Sequence, residues 1–269
     1  MTGIGDEIRQ AFAVPTGIAT PFSAREGGMS IDAAYAAEEE FRNWRASEGR
    51  ALVGRKVGYA NKAMWRVLKL DTLVWAHMYD DTVQYAVEGR AEYNLSACYS
   101  PRIEPEVVLR VKDAIAPGES DAAKILEAVE WIAFGFEIID CPYPDWKFQP
   151  VDFVAAYGLH RRLIVGTPVP VDASNRALLA EELPKFTLKL SKNGEQVEEG
   201  SGKNSLRSPA LCLAELATAS SKQSHAVPLS AGELVSTGTL TNAQPIASGE
   251  EWSVTLSGLS VPGLSARFL

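Results

Sequence analysis

The stretch Pro101-Arg102-Ile103-Glu104-Pro105-Glu106-Val107-Val108-Leu109 sets two carboxylates two residues apart where an apolar strand begins. Side chains alternate along a strand, so Glu104 and Glu106 share one face. Two like charges that close repel unless one takes a proton or a cation sits between them. A second stretch, Trp131-Ile132-Ala133-Phe134-Gly135-Phe136-Glu137-Ile138-Ile139-Asp140, reads as a buried strand interrupted by Glu137. A buried carboxylate is rare unless it is paired or binds metal. If the two strands are neighbours, three carboxylates converge in the manner of a magnesium or manganese site. Glu-x-Glu is also common on exposed strands, and an ion pair with Arg102 would equally satisfy Glu137. Residue chemistry leaves both readings open.

Working outward, the chain has 269 residues, 46% hydrophobic and 22% charged, with a formal net charge of −8. That is enough for a large core, and one main domain with a smaller N-terminal piece is expected, divided as residues 1–50 and 51–269. The acidic balance, with no basic stripe, disfavours nucleic acid or an anionic membrane as partner. Met1-Thr2-Gly3-Ile4-Gly5-Asp6-Glu7 lacks a charged-then-apolar signal pattern and no apolar run has the length of a membrane span, so a cytoplasmic protein is expected. Cys98, Cys141 and Cys212 are few and widely spaced, which reads as core thiols rather than a disulfide framework or a zinc site.

Patterning predicts a short helix over 6–12, then a helix over 31–46 capped by Ser30, with Ile31, Tyr35, Phe41 and Trp44 on one face and Glu38-Glu39-Glu40 as a solvated surface. Residues 52–60 read as a strand and 62–70 as a short helix. Pro117-Gly118 marks a turn, and a helix over 121–130 leads into the Glu137 strand, which makes a crossover possible. Residues 186–190 alternate, Asn193-Gly194 is a hairpin turn, 209–220 is helical, and 233–241 and 251–256 are strand-like.

Together these residues resemble the 2-keto-4-pentenoate hydratase and 4-oxalocrotonate decarboxylase branch of the fumarylacetoacetate hydrolase superfamily. The resemblance runs through Ala34-Tyr35, Gly54-Arg55-Lys56-Val57-Gly58, Tyr79-Asp80-Asp81, Pro101 to Glu106, Glu137 to Asp140, Asp145-Trp146-Lys147 with Asp152, and Ser236-Thr237-Gly238-Thr239-Leu240-Thr241. It implies an α+β fold, a mixed β-roll of the superfamily's C-terminal-domain type with a smaller helical N-terminal region. It also implies that Glu104, Glu106 and Glu137 hold Mg²⁺ or Mn²⁺, that Lys56 is the active-site lysine, and that Lys147 and Thr239 bind substrate. The flanking glycines fit a strand that carries Lys56 close to a ligand.

Two runs depart from that pattern. Family hydratases resemble Val-Asp-x-Pro-Asp-Phe-Gly where this chain has Leu70-Asp71-Thr72-Leu73-Val74-Trp75-Ala76, so Val74 replaces an aspartate often assigned an acid-base role. The family's Ala-Asp-Asn-x-Ser-Ser run is here Ala155-Ala156-Tyr157-Gly158-Leu159-His160. His77 and His160 are therefore candidates for proton transfer, whereas His225, before Pro228, is expected to be exposed and inert. The resemblance implies a metal-dependent lyase of aromatic-compound degradation, a hydratase of a small 2-oxo or 2-hydroxydienoate acid acting through a metal-stabilised enolate. The same scaffold could serve a decarboxylase, a carbon–carbon hydrolase or a non-catalytic partner subunit. A homo-oligomer is expected, with a hetero-complex as the alternative.

Overall fold

Two long apolar strands pair at the centre of the molecule, and the other elements are arranged around them. The computed structural model describes residues 3–222 and 227–269; His225 lies outside the described residues. In chain order the elements are α1 (Ile4–Ala13), α2 (Ile31–Ser47), β1 (Leu52–Gly58), α3 (Lys62–Leu68), β2 (Val74–Tyr79), β3 (Val83–Tyr85), β4 (Arg90–Tyr93), β5 (Pro101–Val111), α4 (Ala122–Glu127), β6 (Val129–Asp140) and α5 (Pro150–Ala155). They continue with β7 (His160–Val165), β8 (Val169–Pro170), α6 (Arg176–Glu182), β9 (Thr187–Lys192), β10 (Glu195–Ser201), α7 (Pro209–Ser221), β11 (Leu234–Ser236), β12 (Gln244–Pro245), β13 (Glu251–Ser257) and β14 (Leu264–Phe268). The fold is α+β.

Among the described residues the strands form two mixed sheets. The larger runs β2-β1-β11-β5-β6-β7-β3, with β12 and β8 added beside β5 and β6; the smaller runs β10-β9-β13-β14-β4. Strands β5 and β6 are antiparallel neighbours, with Glu104 directly opposite Glu137 and Glu106 opposite Gly135. They are not joined by a crossover. Residues 112–128 instead fold back at the strand end, and α4 stops at Glu127 because Val129 and Trp131 already belong to the buried β6.

One core cluster joins Leu188, Leu190, Trp252 and Val254 of the smaller sheet to Val107, Ile132, Phe134 and Phe136 of the larger and to Leu213 and Leu216 of α7. A second joins Ile8 and Phe41 of the N-terminal helices to Val74, Tyr143, Phe153 and Tyr157. Asp152 fastens this region: its carboxylate accepts from the Ser23 and Gln149 amides, each at 2.8 Å. Ser30 caps α2 by accepting from the Ala33 amide at 3.1 Å.

The hairpin turn places Asn193 (φ 51°) and Gly194 (φ 84°) in the left-handed conformation that Asn-Gly tolerates. Two expectations change. Glu38 is not solvated; it is 2% exposed and faces β2 from α2. The strand expected over 233–241 ends at Ser236, because Gly238 (φ 88°) turns the chain beside Pro105–Val107 of β5. Among the described residues no helix is long and apolar enough to cross a membrane.

Candidate active site

The β5–β6 register accounts for the site. Directly opposed residues of an antiparallel pair lie on one face, and so do residues two apart along a strand. Glu104, Glu106 and Glu137 therefore project together, and one carboxylate oxygen from each lies within 4.8 Å of the others. Like charges directly opposed destabilise a sheet, and here Glu106 and Glu137 are completely buried.

Each carboxylate is held differently. Glu106 Oε2 accepts from Ser236 Oγ and, at 2.8 Å, from the Gly238 amide. Its Oε1 has no hydrogen-bond partner among the described residues despite complete burial. Glu137 Oε2 lies 2.9 Å from Lys56 Nζ, and Oε1 lies 2.8 Å from His160 Nδ1. Glu137 is thus paired with Lys56 rather than Arg102. The guanidinium of Arg102 lies instead 4.0 Å from the centre of the Trp146 ring.

Lys56 is buried on β1, donates to the Gly158 carbonyl at 3.0 Å and lies over the Phe153 ring. Presenting that carbonyl requires three successive left-handed residues, Tyr157 (φ 46°), Gly158 (φ 63°) and Leu159 (φ 57°). Such backbone is disfavoured for tyrosine and leucine. At position 158 a Cβ would stand 2.8 Å from Lys56 Cδ and 2.7 Å from Ala76 Cβ, so only glycine fits beside the lysine.

Burial pushes Glu104 up to about 7, with Lys56 opposing and the charge of Glu137 adding to the rise. Burial, reinforced by Glu137 and Glu104, holds Glu106 well above the usual carboxylate range. Burial disfavours the charges of Glu137 and Lys56 too, but their mutual attraction prevails: Glu137 is held below its ordinary value and Lys56 above its own. Burial shifts His160 down, against the pull of Glu137. A carboxylate only accepts, so Nδ1 donates to Glu137, while Nε2 faces Thr82 Oγ1 at 3.0 Å.

These residues fit a divalent cation. Ionised, the three carboxylates and one lysine leave two negative charges, which one divalent ion neutralises. Oxygen donors select hard cations, and Glu106 Oε1 is a buried acceptor awaiting a partner. In the metal-free protein Glu104 binds a proton that the unfolded chain releases above about 4.5, so its contribution to stability is complete below that pH and is lost as pH rises through about 7. The melting temperature of chelated protein should consequently fall over that window, and Mg²⁺ should raise it more at about pH 8 than at about pH 5. An equal Mg²⁺ response at both would contradict this assignment.

A cavity of about 560 Å³ reaches the cluster through Glu104 and Lys56, with Arg102, Trp146, Phe153 and Thr239 also among its lining residues. Thr239 Oγ1 donates to the Thr241 carbonyl at 2.9 Å. Three sequence candidates do not line the cavity. His77 lies opposite Arg55 across β1 and β2, on the face away from Lys56, and its Nδ1 lies 2.7 Å from Glu38 Oε1; it ties α2 to the sheet and does not line the cavity. His160 has both ring nitrogens engaged, Nδ1 with Glu137 and Nε2 with Thr82. Lys147 is 81% exposed, beside Asp145 and outside the cavity lining. Val74 pairs with Gly58, which lines the cavity, but does not itself line it.

Replacing His77 by Ala should leave turnover within about twofold, whereas His160→Gln should weaken Mn²⁺ binding about 10- to 100-fold, the usual effect of losing a group that orients a ligand. Turnover sensitive to His77 but metal affinity insensitive to His160 would reverse these roles. Sequence reading missed the support given to Glu106 by Ser236 and Gly238, although the run Ser236-Thr237-Gly238 carried that signal in a glycine breaking a strand. It also missed the place of Arg102 on the cavity wall.

The family model for the fumarylacetoacetate (FAA) hydrolase C-terminal region matches residues 82–262. The chain belongs to the fumarylacetoacetate hydrolase family. Within it, it falls in the branch of 2-keto-4-pentenoate hydratases and 4-oxalocrotonate decarboxylases. It is 28% identical over 241 residues to 4-oxalocrotonate decarboxylase of Pseudomonas sp. (strain CF600), covering 90% of this chain and 86% of that one. It is 30% identical over 241 residues to 2-keto-4-pentenoate hydratase 1 of Dechloromonas aromatica (strain RCB), covering 88% and 85%. The structure of 4-oxalocrotonate decarboxylase from Pseudomonas putida G7, complexed with magnesium and adipate, superposes with a TM-score of 0.85 at 26% identity over 99% of this chain and 96% of that one.

Proposed function

We propose that the protein is a divalent-metal-dependent hydro-lyase that adds water to a small 2-hydroxydienoate or 2-oxo acid of aromatic-compound degradation. The observation that carries this reading is the convergence of Glu104, Glu106 and Glu137 beside Lys56, with Glu104 and Lys56 lining a cavity sized for a small acid. Mg²⁺ or Mn²⁺ held by the three carboxylates would supply charge stabilisation for an enolate. The chain itself does the rest. Lys56, the buried ammonium nearest the cavity floor, holds the substrate carboxylate or carries a proton to the reacting carbon. Phe153 and Leu159 exclude water from one side of the cavity, and Thr239 offers a polar contact on its wall. His160 keeps Glu137 oriented without touching substrate.

Decarboxylation is the second reading, favoured by the likeness to the decarboxylase fold and by Val74, which cannot transfer a proton. A homo-oligomeric assembly, from the resemblance, and a cytoplasmic location, from the sequence pattern, are proposed with either reading. Incubation with 2-hydroxypenta-2,4-dienoate and with 2-oxohex-3-enedioate, each with Mg²⁺, separates the readings. Loss of absorbance without CO₂ supports hydration, and CO₂ release supports decarboxylation. No change with either substrate overturns both.

A further inference from the structure

Among the described residues the cavity has three hydroxyl side chains on its wall, those of Tyr59, Thr239 and Thr241. Thr239 Oγ1 donates to the Thr241 carbonyl at 2.9 Å and Thr241 Oγ1 to the Asn242 carbonyl at 3.1 Å, so neither has a proton left to offer. The Tyr59 hydroxyl makes no hydrogen bond among the described residues, and unlike the unpaired Tyr79 hydroxyl it is not sealed in the core. A tyrosine hydroxyl in apolar surroundings ordinarily finds a partner. For Tyr59 the cavity is where that partner can stand.

The backbone sets Tyr59 on this wall under strain. It follows Gly58, the last residue of β1, and is left-handed (φ 57°), a conformation unfavourable for tyrosine. Two bonds pin the turn: Trp65 Nε1 donates to the Tyr59 carbonyl at 2.7 Å, and the Leu206 amide to the Ala60 carbonyl at 2.8 Å. At position 58 a Cβ would stand 2.5 Å from the Phe153 ring, so only glycine lets the chain pass that ring so closely. The Tyr59 ring meets Phe153 edge to face, with centres 5.5 Å apart, and Lys56 Nζ lies 4.7 Å from the same Phe153 centre. Tyr59 and Lys56 thus share one aromatic support. Burial, reinforced by the charges of Asp152 and Glu104, holds the phenol above its ordinary value, so it keeps its proton. The oxygens of an ionised 2-oxo acid only accept, and an uncommitted phenol is the complementary donor.

We propose that the Tyr59 hydroxyl binds the substrate, donating a hydrogen bond to an oxygen of the acid held at the Glu104–Glu106–Glu137 site. The inference rests on the function proposed above and adds a residue to its site, but it is tested by binding rather than turnover. The probe is 2-oxopentanoate, a saturated acid that the proposed chemistry cannot consume. Tyr59→Phe removes one oxygen and keeps the ring on Phe153. Calorimetry with Mg²⁺-loaded protein should show this variant binding the probe about 10- to 100-fold more weakly than wild type, the range for a hydrogen bond to a charged group. Its Mn²⁺ affinity should stay within about twofold of wild type, which reports an intact site. Tyr59→Leu should weaken the probe about as much as Tyr59→Phe, because the hydroxyl and not the ring makes the contact. Equal probe affinities in wild type and Tyr59→Phe would overturn the inference, as would a loss confined to Tyr59→Leu or a matching fall in Mn²⁺ affinity. If Mg²⁺ binds to wild-type protein but the probe does not, the inference fails and the metal site stands; if Mg²⁺ does not bind, the proposed function fails with it.

Discussion

Glu106→Gln should abolish the response to Mg²⁺ and lower turnover by about 10³-fold or more, yet melt at a higher temperature than chelated wild-type protein. In wild type the buried Glu106 must either keep a proton at neutral pH or carry a charge without a protein partner at Oε1. Gln has the same shape, carries no charge and can donate to the neighbouring carboxylates, removing a penalty of order 1–3 kcal/mol. At about 2–4 °C per kcal/mol for a chain near this size, the gain is measurable by calorimetry. Wild-type protein, by contrast, should gain about 2.7 kcal/mol at Mg²⁺ one hundredfold above its Kd, and Glu106→Gln should gain none of it. A variant that melts lower than chelated wild type and still responds to Mg²⁺ would mean that Glu106 is a structural acid.

The second large effect concerns Lys56. Replacing it by Met keeps much of the stem that packs on Phe153 while removing the ammonium 2.9 Å from Glu137. Turnover should drop about 10²- to 10⁴-fold, the range for a positioned proton-transfer group. Mn²⁺ binding should persist, because all three carboxylates remain. Loss of metal binding together with activity would assign Lys56 to holding Glu137 in place rather than to substrate. Gly158→Ala offers an independent check, since its Cβ would meet the lysine stem, and activity should fall without any change in ionisable groups.

The three carboxylates were legible because strand alternation is local and Glu137 stands out in an apolar run. Their mutual distance was not, since it depends on the β5–β6 register, a non-local property. The histidines illustrate the limit more sharply. His77 lies three residues from Val74, but position in sequence does not give the face; pairing with Arg55, the neighbour of Lys56, turns it away from the cavity. His160 meets Glu137 through Nδ1 and Thr82 through Nε2, a pairing that depends on the non-local register of β6 and β7. Glu38, read within its acidic triplet as solvated, is buried because α2 packs against β2, which helix periodicity alone did not reveal. Arg102 was weighed only as a partner for Glu137, whereas the turn at Asp145 and Trp146 that captures it required backbone that sequence patterning does not display.

The most direct test is anomalous diffraction from crystals grown with Mn²⁺. One peak is expected, bounded by the carboxylates of Glu104, Glu106 and Glu137 and adjoining the cavity that holds Lys56. No peak there at saturating Mn²⁺ in active crystals, or a peak at other ligands, would contradict the assignment of these three residues as the metal site.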